Sequence, residues 1–326
     1  MVAAETTDIV EEARRRHGLS PTATAALGRA MTGALLLAQL LLKTPKERIT
    51  LRVEGTGPLG GLVVEADAFG HVRGYVKNPR AEVPLGEDGK LNVGELVGAG
   101  ALRVDRSLPS GEVYTSTVPL VSGEIAEDLA HYLWQSEQIP SAVLLGVRVK
   151  GEGEVEVAGG VAVQVMPGAK EEVLGRLEAN LKDLPGLTPL LRERGLEGAL
   201  EALLAGLGFE RTDLRALGYF QNEIPARFRC RCNREKALEA LVFFTPEERE
   251  EMIVKEGGAE VVCHWCGEVY RFSPEEVRSL VAEVRCPDCG ALWLYPKGDG
   301  TLARIEGETC RCGRKVELPS ETRPQA

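Results

Sequence analysis

"PTATAALGRAMTGALLLAQLLLK", residues 21 to 43, followed by "RITLRVEG", residues 48 to 55, is where the fold is decided. Pro21 near the start and Pro45 beyond the end bound a helix, because proline fits a first helical turn but cannot continue one. The centre of this segment, Met31 to Leu42, is the most apolar part of the chain, too short for a membrane span and preceded by Arg29, so it reads as a buried helix. The β-branched residues of "RITLRVEG" then require a strand. A buried helix beside a strand needs a sheet to rest on.

That sheet is written on both sides. "GGLVVEADAFGHVRGYVKN" (60 to 78), "GALRVDRS" (100 to 107), "GEVYTSTVPLV" (111 to 121) and "SAVLLGVRVKGEGEVEVAGGVAVQVMPG" (141 to 168) are rich in β-branched residues and broken by Gly, Asp and Pro turns, as hairpins require. "TDIVEEARRRHG" (7 to 18) and "SGEIAEDLAHYLWQSEQIP" (122 to 140) carry helical patterns. Tyr132 and Trp134 are expected to be core packing rather than a binding site. Residues 1–168 therefore form an α+β core domain, with helices on a largely antiparallel sheet.

Residues 169–226 form a helical linker. Val173, Leu174, Leu177, Leu181 and Leu184 recur at three- and four-residue spacing, as do Leu196, Leu200, Leu203, Leu204 and Leu207. Gly175, Gly186, Gly195, Gly198, Gly206 and Gly208 interrupt them, and an interior helical glycine costs about 1 kcal/mol relative to alanine. Such helices depend on what they pack against.

All eight cysteines lie beyond residue 229, in four close pairs: Cys230/Cys232, Cys263/Cys266, Cys286/Cys289 and Cys310/Cys312. The amino-terminal "MVAAETTDIVEEARRRHGLS" has no apolar stretch of the kind a secretory signal needs, so a cytoplasmic location is expected and the clustered pairs point to metal or redox chemistry rather than a disulfide scaffold. In the first two pairs a C-x-C is followed after thirty residues by "CHWCG", whose two-residue turn lets two sulfurs and nearby amides converge. Four soft ligands at such spacing suit Zn²⁺. Arg227, Arg229, Arg231, Arg234 and Lys236 surround the C-x-C and would offset the charge of four thiolates. "TPEE" (245 to 248) and "SPEE" (273 to 276) carry the capping hydroxyl, proline and glutamate that begin helices on either side of the knuckle. The zinc-binding module, residues 227–280, is too small for a robust core, so metal would supply much of its folding free energy, about 10 kcal/mol or more.

"PARFRCRC" and "CHWCGEVYRF" resemble the redox switch of the heat shock protein 33 family of holdase chaperones. "GPLGGLVVEADAFGHVRGYVKNP" (57 to 79), "SGEIAEDLAHYLWQSEQIPSAVLLGV" (122 to 147) and "QVMPGA" (164 to 169) resemble that family's core motifs in the same order. The resemblance implies an ATP-independent chaperone, inactive while reduced and zinc-bound. Peroxide or hypochlorous acid, helped by heat, would displace zinc and form the disulfides Cys230–Cys232 and Cys263–Cys266. The switch and linker would then unfold, and the chain, often as a homodimer, would hold unfolding client proteins. No catalytic residue is expected.

Two departures from the family stand out. Only "MVAAE" precedes the segment where members usually carry an extra amino-terminal strand, so that strand is expected to be missing or truncated. After the switch, residues 281–326 add "CPDCG" and "CRCG", read as a second zinc ribbon on Cys286, Cys289, Cys310 and Cys312, with "ALWLY" and "TLARIEG" as a possible hairpin and a disordered "LPSETRPQA" tail. Spacing alone equally allows Cys263/Cys266 to join Cys286/Cys289, leaving the two C-x-C pairs together; the family pattern favours 230/232/263/266 with 286/289/310/312.

Other functions fit less well. The net charge is -10, and residues 227–326 hold 16 Lys or Arg against 18 Asp or Glu, so no net field exists to engage nucleic acid as a zinc ribbon would. A thiol-disulfide oxidoreductase using "CHWC" would need neither the C-x-C nor metal. A zinc hydrolase needs an open coordination position and a general base, yet His17, His71 and His131 lack ligand spacing, and His264 sits inside the knuckle, where a solvent-facing or supporting role is expected. No membrane partner is expected.

Overall fold

The computed structural model describes residues 1–87, 89–151, 153–207, 225–296 and 309–315. The chain divides into two compact units, Met1–Cys230 and Arg231–Ala326.

The first unit is built around α2 (Pro21–Leu41). Ser20 caps it, its Oγ accepting from the Ala23 amide at 3.2 Å, with Pro21 in the first turn. By length and composition this helix would suffice to cross a bilayer, but most of it is buried inside the unit. The reason it is apolar all round is that sheet lies on two sides of it.

On one side runs a sheet in the order β6-β5-β2-β3-β4-β9, made of β2 (Arg48–Gly55), β3 (Leu62–Asp67), β4 (His71–Val76), β5 (Gly100–Ser107), β6 (Val113–Pro119) and β9 (Arg227–Phe228). On the other is a three-stranded sheet, β1-β8-β7, of β1 (Val2–Glu5), β7 (Ser141–Val149) and β8 (Val155–Gln164). All pairings are antiparallel except β4 with β9. Leu27, Met31, Leu36 and Leu37 of α2 are almost wholly buried, each contributing about 1.5–3 kcal/mol. Gly28 and Gly33 let neighbours close in: a Cβ at Gly28 would lie 2.6 Å from Val10 Cγ1, and one at Gly33 would overlap the Leu129 side chain.

The amino terminus corrects an expectation. "MVAAE" is itself a strand, β1, in register with β8 through Val2↔Ala162 and Glu5↔Gly159. Trp134 is a second correction. Leu129, Tyr132 and Leu133 of α4 (Ala126–Gln135) are buried, whereas Trp134, one helical step of about 100° further round, is 61% exposed.

The helices of the linker region pack within this same unit. Side chains alternate across β8: a Cβ at Gly160 would meet Thr32 of α2, and one at Gly159 would meet Leu191. The second face, with Val161, receives Leu187, Leu190, Leu191, Leu200 and Leu203 of α6 (Leu187–Leu203). Gly195, at φ 67°, breaks α6 into two pieces. Asn180 of α5 (Glu171–Asp183) is buried and donates from Nδ2 to the carbonyls of Leu203 at 2.8 Å and Ala205 at 2.9 Å, tying α5 to the end of α6. The remainder of the linker, 208–224, lies outside the described residues.

The second unit contains α7 (Arg234–Glu239), α8 (Pro246–Glu256), the antiparallel hairpin β10 (Ala259–Val262) and β11 (Val269–Phe272), and α9 (Pro274–Arg278). Both expected capping boxes form. Thr245 Oγ1 accepts from the Glu248 amide at 3.2 Å while Glu248 accepts from the Thr245 amide at 2.8 Å, and Ser273 and Glu276 do the same at 3.3 and 2.9 Å. The core here is small: Ala237, Leu241, Ile253, Ala259, Phe272, Val277 and Leu280. Beyond it, β12 (Val281–Arg285) pairs with β13 (Leu292–Pro296) across "CPDC". The strand in "ALWLY" thus takes the segment before the cysteine pair as its partner, and "TLARIEG" and the "LPSETRPQA" tail lie outside the described residues.

Candidate metal centres

Three of the four cysteine pairs are presented by a tight turn that glycine completes, and Asn233 follows the pair Cys230/Cys232. In "CHWCG" the Cys263 carbonyl accepts from the Cys266 and Gly267 amides at 3.3 and 2.8 Å, and Gly267 takes φ 70°. In "CPDCG" the Gly290 amide donates to Cys286 O at 2.9 Å, also at φ 70°. In "CRCG" the Gly313 amide donates to Cys310 O at 2.8 Å with φ 87°. β10 and β11 carry the first knuckle as their connecting turn, with Cys263 and Glu268 closing its base through a 2.9 Å backbone bond.

The sulfurs gather into two quartets. Those of Cys230, Cys232, Cys263 and Cys266 lie within 4.8 Å of one another, as do those of Cys286, Cys289, Cys310 and Cys312. Cys232 and Cys266 are 3.4 Å apart, Cys289 and Cys310 3.4 Å, and Cys286 and Cys312 3.5 Å. A disulfide would need about 2.05 Å. Four thiolates around a tetrahedral ion with bonds of about 2.3 Å would stand about 3.8 Å apart, so the spacing suits coordination. Both quartets can hold a metal ion.

The surroundings of the first quartet differ from what the basic run around the C-x-C suggests. Arg234 pairs with Glu276 at 2.7 Å and stacks over Phe272 at 4.5 Å; Arg229 reaches His71 Nε2 at 3.1 Å; Lys236 donates to the Arg231 carbonyl at 3.4 Å. The donors to sulfur include two residues missed in the sequence. Tyr270 Oη donates to Cys232 Sγ at 3.2 Å, and that bond is the largest cause holding the phenol's pKa well above its ordinary value. Arg73 donates from Nη1 to Cys230 Sγ at 3.6 Å while its other terminal nitrogen pairs with Glu65 at 3.2 Å. Arg73 and Glu65 are opposed across β4 and β3, so the sheet register aims the guanidinium. Both residues lie inside quoted motifs, "HVRGYVKNP" and "CHWCGEVYRF", but neither is close in sequence to the sulfur it serves. His264 is exposed on the knuckle.

In the second quartet the Ala291 amide, donating to Cys289, brings that thiol down to about 6, whereas Cys310 is pushed up to about 12. The Cys312 amide favours the Cys310 thiolate, but burial and hydrogen bonds to Cys289, Cys312 and Cys286 outweigh it.

A family profile described as Hsp33 protein matches residues 1–273. The 33 kDa chaperonin of one strain of Thermus thermophilus is 99% identical over 326 residues, covering 100% of this chain and 96% of that protein. That of Deinococcus radiodurans is 52% identical over 283 residues, 86% of this chain and 93% of that protein. The crystal structure of the 33 kDa chaperonin, or heat shock protein 33 homolog, of Thermotoga maritima superposes with a TM-score of 0.72 at 43% identity, covering 84% of this chain and 90% of that one. A mixed helix-and-sheet core, two cysteine quartets able to hold metal and these matches lead to one conclusion: the chain belongs to the Hsp33 family and functions as a chaperone.

Proposed function

We propose that this chaperone is a redox-regulated, ATP-independent holdase of the cytoplasm, inactive while reduced and loaded with Zn²⁺ at both cysteine quartets. The observation that carries this reading is the convergence of Cys230, Cys232, Cys263 and Cys266 in a module whose apolar core, among the described residues, amounts to seven buried side chains. A core that small leaves folding dependent on metal. Thiolates held this way suit a reducing compartment and are open to oxidation.

When bound, the zinc ion supplies cross-links between the knuckle and the C-x-C. The chain's own part is to keep the sulfurs deprotonated, with Tyr270 and Arg73 donating to Cys232 and Cys230. Oxidation joins Cys230 to Cys232 and Cys263 to Cys266, the pairing the family resemblance implies. Each new S–S bond takes two electrons from two thiolates; one hydrogen peroxide accepts them with two protons and leaves as two waters. Disulfides no longer serve as thiolate ligands, so the module loses its staple and unfolds, and the linker helices then come away from β8. The apolar faces so uncovered bind unfolding client proteins, with the activated chain as a homodimer; nucleic acid is not its main partner.

The test is zinc content and suppression of client aggregation on one preparation, before and after peroxide at elevated temperature. Zinc release that tracks the onset of holdase activity, both reversed by dithiothreitol, is expected. Equal suppression in both states, or zinc retained under oxidation, would refute the switch.

A further inference from the structure

Only two residues, Arg227 and Phe228 of β9, pair with the outer side of β4. The pairing is parallel, His71↔Arg227 and Val72↔Phe228, with the Arg227 amide donating to Gly70 O at 2.8 Å and the Arg229 amide to Val72 O at 2.9 Å. Phe228 rests against the main core, and the Arg16 guanidinium lies 5.4 Å above its ring. Strands average about 5–6 residues, so this one is held by little backbone and much by its aromatic side chain. Alternate amides paired along a sheet edge, with one side chain seated beside it, is how an extended peptide docks by strand addition.

The same short segment ends at Cys230, whose sulfur receives Arg73 from β4 itself. Its carboxyl side is therefore held by Arg229, whose amide bonds to Val72 O and whose side chain reaches His71, and by Cys230, and it is loosened when Cys230 leaves its quartet. While attached, β9 faces its site at the high effective concentration of a tethered ligand, and free peptides compete poorly.

We infer that the edge of β4 from Gly70 to Val72 is a strand-docking site for which β9 is the resident ligand. Once β9 leaves, the edge takes an extended segment of an unfolding polypeptide, in parallel register, with an aromatic or large apolar side chain in the place of Phe228. Unfolding chains present such segments, with amides unpaired and apolar side chains exposed; a folded partner would need a bare edge strand of its own. This rests on the redox reading above, which supplies the event that frees β9.

The test uses the full chain and a fluorescent peptide, Pro-Ala-Arg-Phe-Arg-Ser, copying residues 225–230 with serine in place of the cysteine. The oxidised chain is expected to bind it about tenfold more tightly than the reduced chain, since the tethered competitor is gone. N-methylation of the two arginine amides should weaken binding about tenfold, the effect of losing two backbone hydrogen bonds. A chemically unfolded client should displace the peptide. Reduced Phe228→Ala chain that keeps its zinc should bind the peptide without oxidant. If oxidised chain releases zinc and suppresses aggregation, yet binds both peptides equally or neither, the docking site is refuted and the holdase reading stands. If zinc is retained under oxidation, the holdase reading fails, and the reduced Phe228→Ala chain still decides the edge by the same peptide pair. Peptide that dissolves a dimer but is not displaced by client would assign the edge to a second copy and overturn the proposal.

Discussion

The two units are stabilised by different physics. Among the described residues of Met1–Cys230, thirty-eight buried ones form one continuous cluster around α2, and the linker helices add a second cluster on the far face of β8. In Arg231–Ala326 the described apolar cluster has seven members, while turns, caps and sulfurs do the rest. Burial in the first unit is spread over so many side chains that no one group controls it. In the second, under the function proposed above, a few bonds from sulfur to metal would do so. A unit held by few strong bonds can be released by chemistry at one point, which is what a switch requires.

The sharpest way to break this contrast is to remove metal. Chelation, with the chain kept reduced, should cost the second unit about 10 kcal/mol and unfold it. Hydrogen exchange should then rise throughout residues 231–296 and stay slow in β2, β3 and β5. Equal loss of protection in both units would show that the first also leans on metal.

Met31→Ala tests the other side. It should destabilise the first unit by about 2–5 kcal/mol, read by denaturant unfolding, while zinc content stays unchanged. Zinc loss in this variant would end the claim that the two units are stabilised independently.

Asn180→Leu sharpens the comparison within the first unit. Losing the amide that holds the Leu203 and Ala205 carbonyls should cost about 1–3 kcal/mol, and limited proteolysis should cut α5 and α6 sooner than the α2 core.

The smallest expected effect concerns pH. The Glu11 carboxyl is held below its ordinary range first by its bond to Arg14, and it also accepts from the Val155 amide at 3.0 Å. Because folding lowers this pKa, its contribution is complete above the ordinary carboxylate value and disappears as pH falls through the folded one. Glu11→Gln should therefore narrow the stability difference between pH 7 and pH 3, by no more than about 1 kcal/mol. An unchanged difference would place the acid sensitivity elsewhere.

Local features were readable in the one-dimensional pattern. Pro21 marked the start of α2, Thr245 and Ser273 set the capping boxes, and a glycine after three of the four cysteine pairs marked the turns. Each depends on residues at most four positions apart. The exposed Trp134 escaped because a helix of ten residues can turn any face inward until its neighbours are known. β1 escaped because four residues with two alanines carry little strand signal, and only pairing with β8 makes them a strand.

By itself, the sequence determined the chemistry on offer: eight sulfurs in four pairs, a helix apolar on every side, and linker helices too rich in glycine to stand alone. Tertiary structure decided which sulfurs meet, that Arg73 and Tyr270 donate to them, and that two residues before the first C-x-C lie on the edge of β4. The physical reason is one of range. Turns and caps follow from bonds between neighbours in the chain, whereas Arg73 reaches Cys230 across 157 residues only because the sheet's register places it there.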